Sequence, residues 1–194
     1  MIIKLITLYA FNMRCLKIFS VLVLFASQTS FGQRAFATSV GLSAGYSEDG
    51  YAVLFNYNYH NGRSSYVHVG LFASFAVDKE TVGYEIPYNI FNIQPGYYFR
   101  LIQSKGFKPF SLYLGGGGIL GYEILNNGNN ELSNGALIDA KSQFIYGGFV
   151  GLEMDYAFSD DWSFVVKANE YYHVNSEVGN WYPYIAVGLR FYLY

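Results

Sequence analysis

The last twelve residues, 183–194, read PYIAVGLRFYLY and decide the fold class. Apolar side chains occupy every second position from Ile185 to Leu193, whereas the positions between them are small, charged or phenolic. Alternation with a period of two is typical of a β-strand with one apolar face. We interpret that face as one that contacts lipid. Tyr194 falls outside the apolar register, so either a small bulge restores the register or Phe191 is the main aromatic anchor.

The composition of the whole chain favours the same class. Of the 194 residues, 52% are apolar, 20% are aromatic and only 13% are charged, about half of the charge that a soluble globular protein carries. No run after residue 32 approaches the ~18 apolar residues of a membrane helix. Low charge with many tyrosines and glycines therefore predicts a transmembrane β-barrel. The alternative, a soluble β-sandwich, requires more charge on its solvent-exposed faces.

A cleaved secretory signal is predicted over residues 1–32. Basic residues precede a short apolar run at 18–26, and small residues stand at the −3 and −1 positions of a cut before Gln33: Arg14, Lys17, Ser30 and Gly32. This three-part pattern is that of an exported protein, and its apolar core is too short to remain as an anchor. Arg14 would interrupt a longer hydrophobic segment, which favours a translation start at Met13 or an unusually long leader.

Removal of residues 1–32 changes both the charge and the cysteine content. The segment contains three of the twelve basic residues and none of the fourteen acidic ones, so the mature net charge is −5. A basic footprint for nucleic acid is absent, and direct binding of nucleic acid is not expected. Cys15, the only cysteine, lies before the apolar core, so we expect no lipoprotein anchor and no disulfide.

The mature chain, residues 33–194, is predicted to form one all-β domain. Turn signals separate eight alternating stretches, in each of which the small and polar residues share one face: 36–46, 51–60, 67–77, 84–100, 110–124, 144–158, 162–174 and 183–194. Strands of this length suit a tilted crossing of a bilayer. We predict an eight-stranded antiparallel up-and-down barrel whose lumen is filled by its own side chains. Pro87 and Pro95 predict a bulge in the fourth strand.

The tight turn at 159–161 makes the register of two strands predictable. It places Glu153 directly across from Lys167, with both side chains facing inward. Asp155 lies one diagonal step away, and Arg190 is on the following strand. The sequence therefore predicts a cluster of charges in the lumen.

The lengths of the connections indicate the orientation of the barrel. With both termini in the periplasm, connections after even-numbered strands should be short and those after odd-numbered strands can be long. The longest connection follows the fifth strand, and its part 126–142 is rich in Asn and Gly but also contains Leu132, Leu137 and Ile138. We expect this loop either to bind a partner or to cap the mouth of the barrel.

One group of residues could support catalysis. His173, Ser176 and Glu177 lie together near the outer rim, as a hydrolytic set requires, but no strand geometry links them. We interpret them as a polar rim and predict that the protein is not an enzyme. His60 and His68 fall near the opposite end from His173, so the three histidines cannot share a metal. We predict no catalytic, cofactor-binding or metal-binding residues.

A formal G-x-G-x-x-G occurs at Gly116, Gly118 and Gly121 within a run of four glycines. A nucleotide-binding fold requires a helix to begin there, but the chain continues with YEIL and a polar loop. We interpret the run as a strand that makes room for large lumen side chains. The same role is expected for further glycines: Gly41, Gly70, Gly96, Gly147 and Gly188.

Residues 114–193 contain, in order, GGGILGYEILNNGN, NGALIDAKSQFIYGG, GLEMDYAFSDDWSFVVKANEYY and VGLRF. This series resembles the TraO family of conjugal transfer proteins from Bacteroides-type conjugative transposons. Trp162 stands where a basic residue is more usual, and the first three strands match only in pattern. No functional residue is transferred from the family.

The resemblance implies a non-catalytic outer-membrane component of a conjugative DNA transfer apparatus of the type IV secretion class. Its partners would be outer-membrane lipid and other envelope-spanning transfer proteins. Two alternatives remain at this stage: a generic outer-membrane barrel for adhesion or envelope integrity, and a lipid-modifying barrel enzyme.

Overall fold

The computed structural model describes residues 37–62, 64–78, 86–104, 110–129 and 141–193. Nearly all of them lie in eight strands: β1 Thr38–Ser47, β2 Gly50–His60, β3 Ser65–Asp78, β4 Ile86–Gln103, β5 Phe110–Leu125, β6 Gln143–Ala157, β7 Trp162–His173 and β8 Trp181–Leu193. A 3₁₀ turn, Asn126–Gly128, follows β5. The predicted signal and its cut before Gln33 lie outside the described residues, as do Tyr194 and the apolar residues of the long loop, so those predictions stay open.

The eight strands close into an antiparallel up-and-down barrel, as predicted. Each strand pairs with the next one along the chain, and β8 pairs with β1 from Thr38↔Leu193 to Ser47↔Tyr184 without a change of register. We start at Ser47 of β1 and move from each residue to its direct pairing partner on the next strand. One circuit of the barrel started in the direction of β8 ends at Ala37, so the displacement along the chain is ten residues. Because that displacement is large, the strands are tilted against the barrel axis, and side chains from distant strands meet at one height.

The outward faces are apolar and carry two aromatic bands. We call the end that bears the connections after odd-numbered strands the outer end. The outer aromatic band consists of Tyr46, Tyr51, Phe75, Phe91, Tyr122, Tyr146, Tyr172 and Trp181. The opposite band consists of Tyr57, Tyr59, Tyr97, Phe99, Tyr156, Trp162 and Phe164. Mainly aliphatic residues lie between the bands, the arrangement of a lipid-facing barrel surface.

Within the described residues, no helix has the length and apolar character to cross a membrane.

The lumen is filled by side chains, as the strand number predicted. Aromatic rings follow one another along it with centroid distances of 5.0–6.4 Å: Tyr113, Tyr66, Tyr98, Phe149, Tyr171, Phe72, Tyr182 and Tyr184. All of them are buried. The core of this protein is therefore the inside of the barrel rather than a layer between sheets.

The prediction of a bulge at Pro87 and Pro95 requires correction. The register shift in β4 lies between Arg100 and Ile102, not at a proline. Pro87 and Pro95 pair with β3 in register because a strand loses only one donor at each proline. On the other side, the pairing of β4 with β5 skips Gln94 and Pro95 but resumes at Gly96 in the same register.

The glycine interpretation is correct at several positions and wrong at others. A Cβ on Gly41, Gly70 or Gly96 would lie less than 3.0 Å from a lumen side chain, for example 2.7 Å from Cζ of Phe149 at Gly96. At Gly147 and Gly188, however, a Cβ would overlap a carbonyl oxygen of the neighbouring strand. Those two glycines therefore allow strands to approach closely and do not make room for a side chain.

Candidate functional site: the lumen charges and the outer rim

The predicted charge cluster is present in the lumen, and all four of its charged residues are buried. Glu153 and Lys167 are directly paired positions of β6 and β7, and the Lys167 ammonium donates a hydrogen bond to Oε2 of Glu153. Arg190 of β8 donates from Nη2 to Oε1 of Glu153 at 2.6 Å and from Nη1 to Oδ2 of Asp155 at 2.7 Å. Two carboxylates and two cations thus neutralise each other inside the barrel.

Arg190 reaches β6 across the intervening strand β7. Its directly paired residue on β7 is Ser163, whose small side chain leaves space above it. The carboxylates that Arg190 contacts both belong to β6. The cluster therefore ties three consecutive strands together, β6, β7 and β8.

Aromatic rings surround the charges on the lumen side. The guanidinium of Arg190 lies 5.2 Å from the ring centroid of Tyr66, and Nζ of Lys167 lies 5.7 Å from that of Tyr98. The two rings stack on each other at 5.0 Å. Tyr192 donates from its hydroxyl to Oδ2 of Asp155 at 3.0 Å. The rings keep the ion pairs inaccessible to solvent, so this cluster has the features of a structural element rather than of a reactive site.

The predicted rim residues do not form a catalytic set. Ser176 donates a hydrogen bond from Oγ to Oε2 of Glu123 at 2.5 Å, and the backbone N–H of Glu177 donates to Oε1 of the same residue at 3.1 Å. His173 is buried between the rings of Tyr171 and Tyr182, and neither of its ring nitrogens makes a hydrogen bond with a described residue.

Glu123 is the rim residue that sequence analysis missed. It is completely buried at the outer end of β5, 53 residues before Ser176. Its inward position in an alternating strand was visible in the sequence, but its partners on the β7–β8 loop were not. As a hydrogen-bond acceptor for a serine and a backbone amide, it anchors a loop.

Further hydrogen bonds hold the β7–β8 loop against the outer ends of its neighbours. Asn175 donates from Nδ2 to the carbonyl of Phe144 at 2.6 Å, and Gln143 donates to the carbonyl of Asn175. Asn180 donates from Nδ2 to the carbonyl of His173 at 2.7 Å. The loop is thus fastened at several points across the rim.

His60 and His68 lie towards the end of the lumen that is opposite the outer end, as predicted. Nδ1 of His68 is 2.8 Å from Oδ1 of Asn58. Among the residues that the structure describes, no three His, Cys, Asp or Glu side chains converge as a metal site. The glycines of the formal nucleotide motif, Gly116, Gly118 and Gly121, lie inside the continuous strand β5.

Comparison with protein families identifies the chain. A family model described as "Conjugative transposon protein TraO" matches residues 11–193, nearly the whole chain. The chain belongs to the TraO family. The resemblance inferred from residues 114–193 is therefore confirmed. In this TraO-family chain the eight strands form a closed barrel whose lumen is filled by side chains.

Solved structures show where else this fold occurs. The N-terminal β-barrel domain of Pseudomonas aeruginosa OprF is 11% identical, with a TM-score of 0.53, and the match covers 82% of this chain and 98% of that chain. Neisserial surface protein A is also 11% identical, with a TM-score of 0.50 and coverage of 80% and 95%. No curated protein matches the chain. At this identity the structural similarity of the TraO-family chain to these proteins establishes the fold alone.

Proposed function

We propose that this protein is a non-catalytic outer-membrane component of a conjugative DNA transfer apparatus, exported by way of a signal peptide. The observation that carries the proposal is the TraO family match over nearly the whole chain. The apolar exterior with two aromatic bands supports a location in a membrane. The rim contacts support a structural role, because Ser176 bonds to Glu123 and not to a histidine.

A role as the DNA conduit is not supported by the lumen. Stacked rings and the buried charge cluster occupy it along its length. A small barrel of this kind would act instead by holding or positioning other proteins of the apparatus in the envelope. Such contacts require surfaces that neither lipid nor the lumen covers.

Gene deletion tests the proposal directly. A donor strain without this gene should transfer DNA to recipients at a strongly reduced frequency, and a plasmid copy should restore transfer. Normal transfer by the deletion strain would refute the conjugation assignment and favour a general role in adhesion or envelope integrity. Donor growth and detergent resistance, measured in parallel, distinguish a specific transfer defect from a damaged envelope.

We further propose that the long outer loop, residues 126–142, is a partner-binding surface. It is the longest connection and lies at the outer end, and the apolar residues that it contains are unnecessary for a purely solvated loop. Replacement of 126–142 by a short Gly/Ser turn should leave an assembled barrel in the membrane but reduce transfer.

A similar replacement of the outer connection 79–85 is the control for the loop experiment and should be tolerated. Normal transfer by the protein that lacks 126–142, in a strain without the wild-type copy, would show that the loop has no such role. Equal loss of transfer from both replacements would also contradict a specific role.

A further inference from the structure

One carboxylate lies on the lipid-facing surface of the barrel. In β7 the odd-numbered neighbours of Glu170, Asn169 and Tyr171, are buried in the lumen, while Ala168 and Tyr172 face outward with Glu170. Among the outward positions of the described strands, Glu170 is the only charged residue between the two aromatic bands. Glu170 is the outward-facing residue next to Tyr172 of the outer aromatic band, about 7 Å along the strand towards the membrane centre.

The surroundings of Glu170 are apolar. Its directly paired residues are Val150 of β6 and Pro183 of β8, and Ile185 follows on the same face of β8. Val150 and Ile185 are each 61% exposed on the barrel surface. No hydrogen bond or ion pair joins Glu170 to any described residue. Ionisable side chains that face a bilayer are rare because lipid solvates charge poorly, and they commonly mark functional contacts.

A shallow recess lies beside this carboxylate. Gly118 of β5 and Gly148 of β6 are directly paired and both face outward, and Gly148 is one outward position from Val150. A Cβ on Gly118 would meet no atom closer than 3.9 Å, so open space lies above it. On β4, the register that holds on both sides of the gap, at Ile93↔Leu120 and Gly96↔Gly117, places the outward residue Pro95 opposite Gly118. Surfaces without bulky side chains let another backbone approach closely within a membrane.

We propose that the recess formed by Pro95, Gly118 and Gly148, with Glu170 at its edge, is the docking surface for a membrane-embedded segment of another transfer protein that bears a Lys or Arg at this depth. The segment would fill the recess by close packing, and its cation would pair with Glu170. The inference rests on the proposed function, since it assumes partners in the envelope.

Charge decides between this occupant and a second copy of the chain. A two-fold contact through the recess would bring two Glu170 carboxylates towards each other. The outward positions between the bands in the described strands contain no Lys or Arg that could compensate. A partner with complementary charge fits this surface, whereas the same surface repels itself.

The test compares Glu170 with a matched position three strands away around the barrel. Val53 of β2 is likewise the outward-facing residue next to a member of the outer aromatic band, Tyr51. In a donor strain without the wild-type copy, Glu170→Leu and Glu170→Lys should each reduce transfer at least tenfold. Val53→Lys should change the transfer frequency little once that frequency is divided by the amount of assembled barrel. The amount of assembled barrel is measured for every variant from its migration in unboiled gels.

Several outcomes would overturn the inference. Normal transfer with Glu170→Leu, in a system where deletion of the gene abolishes transfer, would refute the docking surface and leave the proposed function intact. Equal defects for Glu170→Lys and Val53→Lys would show a general intolerance of charge on the lipid face. Normal transfer after deletion of the gene would instead refute the proposed function itself.

Cysteine chemistry tests the second-copy alternative, because the mature chain is predicted to contain no cysteine. A Val150→Cys protein should remain monomeric under oxidation in the membrane. A disulfide-linked dimer would identify the surface as a contact between copies and overturn the proposal. Restoration of Glu170→Lys by a Lys→Glu or Arg→Glu change in a membrane segment of another transfer protein would support it and identify the partner.

Discussion

Arg190 is the residue on which the lumen charges depend most. It contacts both carboxylates of the cluster, whereas Lys167 contacts only Glu153. A buried ion pair contributes little net stability compared with apolar packing, but loss of one partner leaves the other charge buried and unpaired. We therefore expect the cluster to constrain the register of β6, β7 and β8 more than it adds to their stability.

At this scale we expect Glu153→Ala and Lys167→Ala each to lower the free energy of unfolding, by about 3–5 kcal/mol if water stays excluded. The double variant should lose less free energy of unfolding than the two single variants together, because neither charge is then left buried without its partner. Arg190→Ala should cost more than Lys167→Ala, since it removes an ion pair from each carboxylate and leaves Asp155 without a cation partner, whereas Glu153 keeps Lys167. Denaturant unfolding of the refolded barrel measures these values.

Ser163→Ala is the control for the charge variants, because its buried hydroxyl makes no hydrogen bond with a described residue. It should change the stability far less than any of them. Strict additivity of the Glu153 and Lys167 effects would contradict a direct interaction between the two side chains.

At the scale of a single element, strand β5 shows how one glycine run serves two surfaces. Gly115 faces the lumen, and a Cβ there would overlap the Tyr98 ring. Gly118 faces outward, with open space above it. The alternation of β5 thus gives neighbouring glycines unrelated roles, one in the packing of the aromatic column and one in the shape of the lipid-facing surface.

We expect Gly115→Ala to destabilise the barrel by about 1–3 kcal/mol, because the stacked Tyr98 and Tyr66 rings must move. Gly118→Ala, the matched variant in the same strand, should stay within about 0.5 kcal/mol of the wild type. Unfolding in denaturant, followed by tyrosine fluorescence, compares the two. Equal effects would mean that the faces of β5 have been assigned wrongly.

For the molecule as a whole, closure is the property with the clearest consequence. Because β8 pairs with β1, no strand edge remains exposed and every strand has two neighbours. In a bilayer, closure also satisfies the backbone groups that lipid cannot bond. Opening the barrel would expose two edges at once, so we expect it to unfold as a unit.

The folded protein should therefore migrate differently in boiled and unboiled gel samples, since detergent alone does not open a closed ladder. A variant that lacks β8, residues 181–193, cannot close and should show no such shift. Identical migration of boiled and unboiled full-length protein, together with a helical far-UV dichroism spectrum, would contradict the barrel.

The sequence by itself determined the strand number, the faces of the clearly alternating strands and one register. Alternation is a local property with a period of two, so it assigned Ala186 and Arg190 to the lumen and Ile185 and Val187 to lipid before any contact was known. The tight turn before β7 fixed the pairing of Glu153 with Lys167, because a short connection leaves few alternative registers.

The tertiary structure alone decided contacts between residues far apart in the chain. The tilt of the strands, set by a ten-residue displacement around the closed sheet, lets Arg190 of β8 bridge two carboxylates of β6. It also brings Ser176 to Glu123, while the ring nitrogens of His173 have no hydrogen-bond partner among the described residues. Local alternation specifies which face a side chain occupies, whereas closure specifies which side chains from other strands share its height, and closure depends on all eight strands together.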